Sequence, residues 1–326
     1  MKKVSIVGIG MDGINTLTKQ AKSVIASADM IIGAKRMTDS FSAKKKSVFN
    51  SHDSVEIAEL IRRCEFESIA VLMSGDCGFY SGAQKLIPLI CDIETEIIAA
   101  VSSPVYFCSR LKKSWQDAHF VSLHGAAAGI ARNVAAHEKT FFLLGGALSA
   151  GDVCSRLCEY GLGNADVFIG ENLSYKNERI SCGRAKDFAG LKFEKLSVIL
   201  VENSDYEKCV KIGIADTDFI RGNVPMTKSE VRSIVISRLN ICRDSICWDI
   251  GSGTGSVSVE MAMQCPDGTV FSIEKKQEAI ELTDKNSKKF MCDNINIIKG
   301  EAPEALNNLP SPACVFIGGS TEKSAR

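Results

Sequence analysis

Gly251-Ser252-Gly253-Thr254-Gly255 follows directly on an apolar run, 246–250, that contains Trp248 and Asp249, and Glu274 stands 23 positions after Gly251. Glycines at alternate positions let a backbone turn tightly and come close to a ligand. A helix that starts in such a loop offers unpaired N–H groups and the positive end of its dipole. An acid ending the next strand, at this spacing, is placed to accept hydrogen bonds from the ribose hydroxyls of an adenosine cofactor. A dinucleotide loop reads GxGxxG. Here Ser256 takes the place of the last glycine and the order is GxGxG. With no pyrophosphate to cradle, and with Asp249 near for a methionine ammonium, the loop suits S-adenosyl-L-methionine better. On this motif alone a nicotinamide dinucleotide remains the runner-up, and a structural turn without ligand is the lesser alternative.

Positioning such a loop requires strands that alternate with helices. β-Branched and apolar runs at 4–9, 30–32, 69–73, 96–101, 120–123 and 141–144 predict buried strands, with helical patterns at 16–28, 54–64 and 127–137 between some of them. Strands at 166–169 and 196–202 have no long helix between them, which predicts a mixed sheet there. The pattern weakens from 203 to 223. Thr227 with Glu230 then reads as a capping box, opening an amphipathic helix through Arg238 with Val231, Ile234, Val235 and Leu239 on one face. Strands follow at 246–250, 269–273, 295–298 and 314–317. The fold class is α/β, with one domain at 1–205, a linker at 206–222 and a second domain at 223–326.

The 326 residues are enough for two cores, and 45% hydrophobic with 24% charged residues is ordinary for a globular chain. Lys+Arg and Asp+Glu are both 39, so no overall basic field exists to bind nucleic acid. The 13 cysteines form no CxxC pair, and with only four histidines no metal site is expected. They read as reduced, largely buried thiols of a cytoplasmic protein. The start lacks a secretory pattern, and no apolar stretch approaches the roughly 20 residues that span a membrane.

Several runs resemble known families. Met226-Thr227-Lys228-Ser229-Glu230-Val231-Arg232, the 248–257 run around the glycine loop, Gly300-Glu301-Ala302-Pro303-Glu304-Ala305-Leu306 and Phe316-Ile317-Gly318-Gly319-Ser320 are similar to the decarboxylating precorrin methyltransferase domain that acts at carbon 15. Val7-Gly8-Ile9-Gly10, Ala28-Asp29 before Gly33 and Arg36, Ser74-Gly75-Asp76-Cys77-Gly78-Phe79-Tyr80-Ser81-Gly82, Val101-Ser102-Ser103-Pro104, Ser122-Leu123-His124-Gly125 and Gly170-Glu171-Asn172-Leu173-Ser174 with Glu178-Arg179-Ile180 resemble its companion, the tetrapyrrole methylases that act at carbon 5. The resemblance implies a two-subdomain tetrapyrrole-methylase fold followed by a Rossmann-like class I methyltransferase domain. It implies S-adenosyl-L-methionine as cofactor, a precorrin or cobalt-precorrin macrocycle as substrate, and a homo-oligomer.

Carried over by the same resemblance, the first cofactor site comprises Gly8, Gly10, Gly75, Asp76, Gly78, Ser102 and Ser103. The second comprises Thr227, Gly251, Ser252, Gly253, Thr254, Gly255, Glu274 and Ala302. Tight turns at Gly8 and Gly10, and a helix cap at Ser102 and Ser103, are the ligand-free alternatives. No catalytic residue is assigned, because methyl transfer from a sulfonium needs in-line positioning more than a strong base. Lys228 and Arg232 are candidates for the substrate's carboxylates, with a solvated helix face as their alternative. His124, Glu171 and Asn172 are divided between substrate contact and structure. The chain departs from the family at Met11 and Cys77, where proline is usual. The family pattern continues past Ser320, so the second domain is expected to be C-terminally incomplete. That predicts an exposed edge at 314–317 and failure at carbon 15. A nicotinamide-dependent oxidoreductase and a binding module without turnover are the rival functions.

Overall fold

The computed structural model describes residues 2–11, 15–41, 47–123 and 129–318. The chain divides into two compact units, one made of residues 1–116 and 170–179, the other of 117–169 and 180–326.

In the first unit β1 (Lys3–Gly8), β2 (Met30–Gly33), β3 (Ser47–Asn50), β4 (Ser68–Met73) and β5 (Glu94–Ile98) form a parallel sheet of order β3-β2-β4-β1-β5. β1 is covered on both faces, which is why its sequence is a continuous apolar run rather than an alternation. Val4 and Ile6 pack with Ile57, Ala58 and Ile61 of the Ser54–Arg63 helix, while Val7 packs with Ala21 and Ile25 of the Lys19–Ser27 helix. All strands point the same way, so the loops after β1, β4 and β5 emerge along one edge. That edge is where open α/β sheets hold ligands.

The second unit holds two sheets. β6 (His119–Ser122), β7 (Lys139–Leu143), β8 (Asp166–Glu171), β9 (Arg179–Arg184) and β10 (Ser197–Glu202) run in the order β6-β7-β10-β8-β9. β6 and β7 are parallel, and β7 and β10 antiparallel, so the sheet is mixed as the spacing of its strands predicts. β11 (Ile246–Ile250), β12 (Thr269–Glu274), β13 (Ile295–Lys299) and β14 (Cys314–Ile317) form a parallel sheet of order β13-β12-β11-β14. Among the described residues β14 pairs with β11 alone, and its Val315 and Ile317 are 39% and 46% exposed.

Four details depart from the sequence expectations. β3 and β9 were not foreseen, because SVFN and RISCGR carry no continuous apolar run. The helix after the linker starts at Ser229 behind Lys228, and no side chain caps it, so Thr227 and Glu230 form no capping box. Its buried residues are Arg232 and Ile236, whereas Val231 and Ile234 are 51% and 63% exposed. The helix turns this way because Glu260, fully buried in the Ser256–Gln264 helix, requires a cation, and Arg232 supplies it at 2.8 Å. Arg232 is therefore a core ion-pair partner and not a group for substrate carboxylates. Finally, within 206–222, Ile214 and Phe219 are buried in the same cluster as Ile236 and Cys247. Glu260 accepts from the N–H groups of Gly213 and Ile214 at 2.9 and 3.1 Å.

Candidate functional site

The second unit's glycine loop joins β11 to the Ser256–Gln264 helix. Gly251, Gly253 and Gly255 all have φ between +59° and +74°, where a side chain is strained. Space is also short. A Cβ on Gly251 would lie 2.5 Å from the Gly318 carbonyl oxygen, one on Gly253 3.0 Å from that of Pro225, and one on Gly255 3.0 Å from Thr283 Cα. The loop is thus pressed against the 224–227 segment on one side and the Gln277–Lys289 helix on another. Glu274 ends β12 and reaches back to it. Its carboxylate accepts from Gly253 N–H at 3.0 Å, Lys275 N–H at 2.8 Å and Lys276 N–H at 3.0 Å. A carboxylate has about four lone-pair positions, so three are filled and one, on Oε2, is left to accept from a ligand hydroxyl.

Beneath the loop Asp249 is fully buried. It accepts from Ser258 Oγ, which also lies 3.1 Å from Ser272 Oγ, while its other oxygen, Oδ1, has no hydrogen-bond partner among the described residues. Ser252 Oγ and Thr254 Oγ1 are likewise buried without partners among the described residues. Buried polar atoms are rarely left unsatisfied. Orphaned oxygens beside a helix start, a glycine backbone and a rigid carboxylate fit a small polar cofactor bearing ribose and an ammonium group. Ser258 and Ser272 were not foreseen as part of the site. The available signal was hydroxyls at 256 and 258 interleaved with Val257 and Val259. Thr227 gives its carbonyl to Arg232, and Ala302 follows Gly300, whose N–H donates to the Glu274 carbonyl at 3.0 Å.

Burial pushes the Asp249 carboxyl up to about 6, with the nearby Glu274 charge adding and the Ser258 hydrogen bonds opposing. The folded chain therefore holds this proton more tightly than the unfolded chain. Asp249's contribution to stability is full below about pH 4 and is lost as pH rises through 6. In the ligand-free protein, Asp249→Asn is expected to become the more stable of the two between pH 4 and 7. The gap should reach up to about 3 kcal/mol, the value of a two-unit shift. Thermal melts of both proteins across that range check it; a constant gap would remove Asp249 as its source.

In the first unit the loops after β1, β4 and β5 interlock. Gly10 and Gly75 exchange both backbone hydrogen bonds, at 3.2 and 2.8 Å, and both have left-handed φ. A Cβ on Gly8 would stand 2.8 Å from Ala100 Cβ and 2.9 Å from the Gly75 carbonyl oxygen. Asp76 ties the loops together, accepting from Gly78 N–H at 2.8 Å and Ala100 N–H at 2.9 Å. Ser102 precedes the Ser103–Leu111 helix without capping it, so helix capping does not account for a serine there. The Gly75 position faces Ser102, its Cβ site lying 4.0 Å from Ser102 Cα. The structure thus brings Gly8, Gly10, Gly75, Asp76, Gly78, Ser102 and Ser103 to one sheet edge. Cys77, at a family proline position, is buried 3.7 Å from the carbonyls of Ile6 and Ile98, and burial pushes its thiol up to about 11. It packs below the loop rather than facing a ligand. Glu171 is buried in a two-point ion pair with Arg179. His124, Gly319 and Ser320 lie outside the described residues.

Two family models match the chain: tetrapyrrole (corrin/porphyrin) methylases over residues 3–189, and the precorrin methyltransferase domain over residues 218–325. The chain belongs to the tetrapyrrole (corrin/porphyrin) methylases. Members of this family use S-adenosylmethionine, which agrees with the glycine backbones of the first unit's loops. This methylase is 28% identical over 323 residues to the decarboxylating precorrin-6Y C(5,15)-methyltransferase of a Sinorhizobium species, covering 97% of this chain and 78% of that protein. It is 46% identical over 106 residues to the decarboxylating cobalt-precorrin-6B C(15)-methyltransferase of Salmonella typhimurium, covering 32% of this chain and 54% of that one. The chain thus spans about half the length of the carbon-15 relative. A uroporphyrin-III C-methyl transferase from Thermus thermophilus, solved with S-adenyl homocysteine, shares the fold of the methylase part. It is 16% identical, with a TM-score of 0.50, over 61% of this chain and 92% of that one. Among the described residues no helix is long and apolar enough to cross a membrane, and no group of three or more His, Cys, Asp or Glu could hold a metal ion.

Proposed function

We propose that this chain methylates a precorrin or cobalt-precorrin macrocycle in cobalamin biosynthesis. The 1–205 domain would act at carbon 5. The 223–326 domain would take part at carbon 15, where an acetate side chain is lost as carbon dioxide. The observation that carries the proposal is the pair of strand-end glycine loops, packed so closely that Gly8, Gly10, Gly251 and Gly255 leave no room for a Cβ, each beside a fixed carboxylate, Asp76 in one and Glu274 in the other. The likeness along the chain to a C(5,15) relative supports the order of the two activities.

S-Adenosylmethionine supplies an electrophilic sulfonium methyl when bound. The protein's own task is to hold that methyl in line with an electron-rich ring carbon and to exclude water. Gly8, Gly10, Gly75 and Gly78 let the backbone approach the cofactor in the first site, with Ser102 and Ser103 beside it. In the second site Glu274 takes a ribose hydroxyl on its free lone pair, and Ser252, Thr254 and Asp249 face the polar end. Thr227 and Ala302 flank the adenosine. Asp249 matches an ammonium group and would repel a pyrophosphate, which favours S-adenosylmethionine over a nicotinamide dinucleotide. We also infer a cytoplasmic homo-oligomer.

Incubating the chain with the corrinoid and methyl-labelled cofactor, then mapping the label, tests the proposal. Label at carbon 5 is expected. An unlabelled macrocycle would reject it, and calorimetry with both cofactors would show whether the nicotinamide alternative takes its place.

A further inference from the structure

The Ser103–Leu111 helix begins at the two serines of the first site, so its orientation sets where they lie. One carboxylate grips this helix from the side. Glu178 Oε2 accepts from Tyr106 Oη at 2.7 Å, and Glu178 Oε1 accepts from Arg110 Nε at 3.0 Å. Tyr106 and Arg110 are four residues apart and share a helix face. The same Oε2 accepts from Ser174 N–H at 2.6 Å. Ser174 and Asn172 both have left-handed φ, at +66° and +47°, an unusual pair of non-glycine residues in one short turn. Glu178 is only 14% exposed, and although burial opposes its charge, Tyr106, Ser174 and Arg110 hold its carboxyl below the usual range.

A second contact keeps the helix attached without Glu178. Phe107 is fully buried against Gly170, where an added Cβ would meet Phe107 Cε2 at 2.7 Å. Apolar packing therefore holds the helix to the end of β8, and the carboxylate controls its rotation and the strained turn. Tyr106 N–H donates to the Ser102 carbonyl at 3.1 Å, so the clamped residue lies one turn from the serines.

We propose that Glu178 is a positioning residue for the first site. By clamping Tyr106, Arg110 and the 172–174 turn, it fixes the helix start so that Ser102 and Ser103 meet S-adenosylmethionine. This inference rests on the function proposed above.

The test follows carbon-5 labelling by the full chain as cofactor concentration varies. Glu178→Ala is expected to raise KM for S-adenosylmethionine about tenfold while kcat stays within about threefold, the pattern of weakened binding without a changed chemical step. Glu178→Gln keeps an oxygen for Ser174 N–H and Tyr106 Oη and should recover most of the loss. Tyr106→Phe, which removes one hydroxyl, should raise KM about threefold and serves as the milder variant should Glu178→Ala fold poorly. An unchanged KM in both Glu178→Ala and Tyr106→Phe would overturn the clamp, as would equal defects in the Ala and Gln variants. If the unaltered chain labels no carbon 5, the functional proposal fails instead. Calorimetric binding of S-adenosylmethionine to the first site then decides the clamp by the same tenfold criterion.

Discussion

A chain carrying Gly255→Val is expected to lose S-adenosylmethionine binding at the second site by about a hundredfold or more and to retain it at the first. Two costs combine. Residue 255 has φ +74°, where a β-branched residue is strained by more than the 1–2 kcal/mol that ordinary side chains incur there. Its Cβ would also stand 2.8 Å from Thr283 Cγ2, 2.9 Å from Thr283 Oγ1 and 3.0 Å from Thr283 Cα. The side-chain atoms could rotate away, but the Cα cannot. The loop must retreat, and with it the N–H groups that open the Ser256–Gln264 helix. About 3 kcal/mol is about a hundredfold in affinity. Gly8→Val should show the reverse pattern. Its φ is ordinary, yet its Cβ meets Ala100 Cβ, the Gly75 carbonyl and the Ile98 carbonyl at 2.8, 2.9 and 3.2 Å. Relief requires parting β1 from the Gly75 loop and breaking the Gly10–Gly75 bonds. Calorimetric titration counts the sites: two in the unaltered chain and one in each variant. Two intact sites in both variants would show that neither glycine loop holds the cofactor.

Arg232→Ala is expected to unfold the second domain's core. Arg232 is fully buried, 2.8 Å from Glu260 and 3.1 Å from Asp216, and it also donates to the carbonyls of Thr227 and Ile214. Its guanidinium stands 4.7 Å over the Phe219 ring. Removing it leaves the buried Glu260 carboxylate without its cation, held among the described residues by the N–H groups of Gly213 and Ile214. Breaking a buried pair from one side costs about 3–5 kcal/mol, a large share of a domain's stability. A double variant, Arg232→Met with Glu260→Leu, replaces the pair by apolar groups and should regain much of the loss, because no lone charge remains. Denaturant midpoints of the three proteins test this. If the single variant is as stable as the double, the pair is not what holds the 213–220 segment to the sheet.

Much of the fold was legible. The runs that became β1 and β4 are apolar because both faces of a parallel sheet are covered, so their burial is written into composition. The glycine loop was equally legible, since alternating glycines before a helix have few other uses, and Glu274 stands where the next strand ends. β3 and β9 were missed because short, half-exposed strands leave no apolar run. The helix at Ser229–Leu239 misled for a different reason. Its valines and isoleucines suggested a buried face, but a buried acid on a neighbouring helix took Arg232 inward instead. Nothing local to residues 227–239 announces Glu260, which is 28 positions from Arg232.

Residue order alone determined the α/β class, the glycine loop and its acid, and the likeness to corrin methylases, because each is a local pattern of side-chain type and spacing. Only the tertiary structure decided that Asp249 lies buried beneath the loop with one oxygen unpartnered among the described residues, that Asp76 laces two loops together, and that Arg232 serves the core rather than a substrate. Those outcomes depend on burial and on partners distant in sequence, and the free energy of a charge is set by what surrounds it.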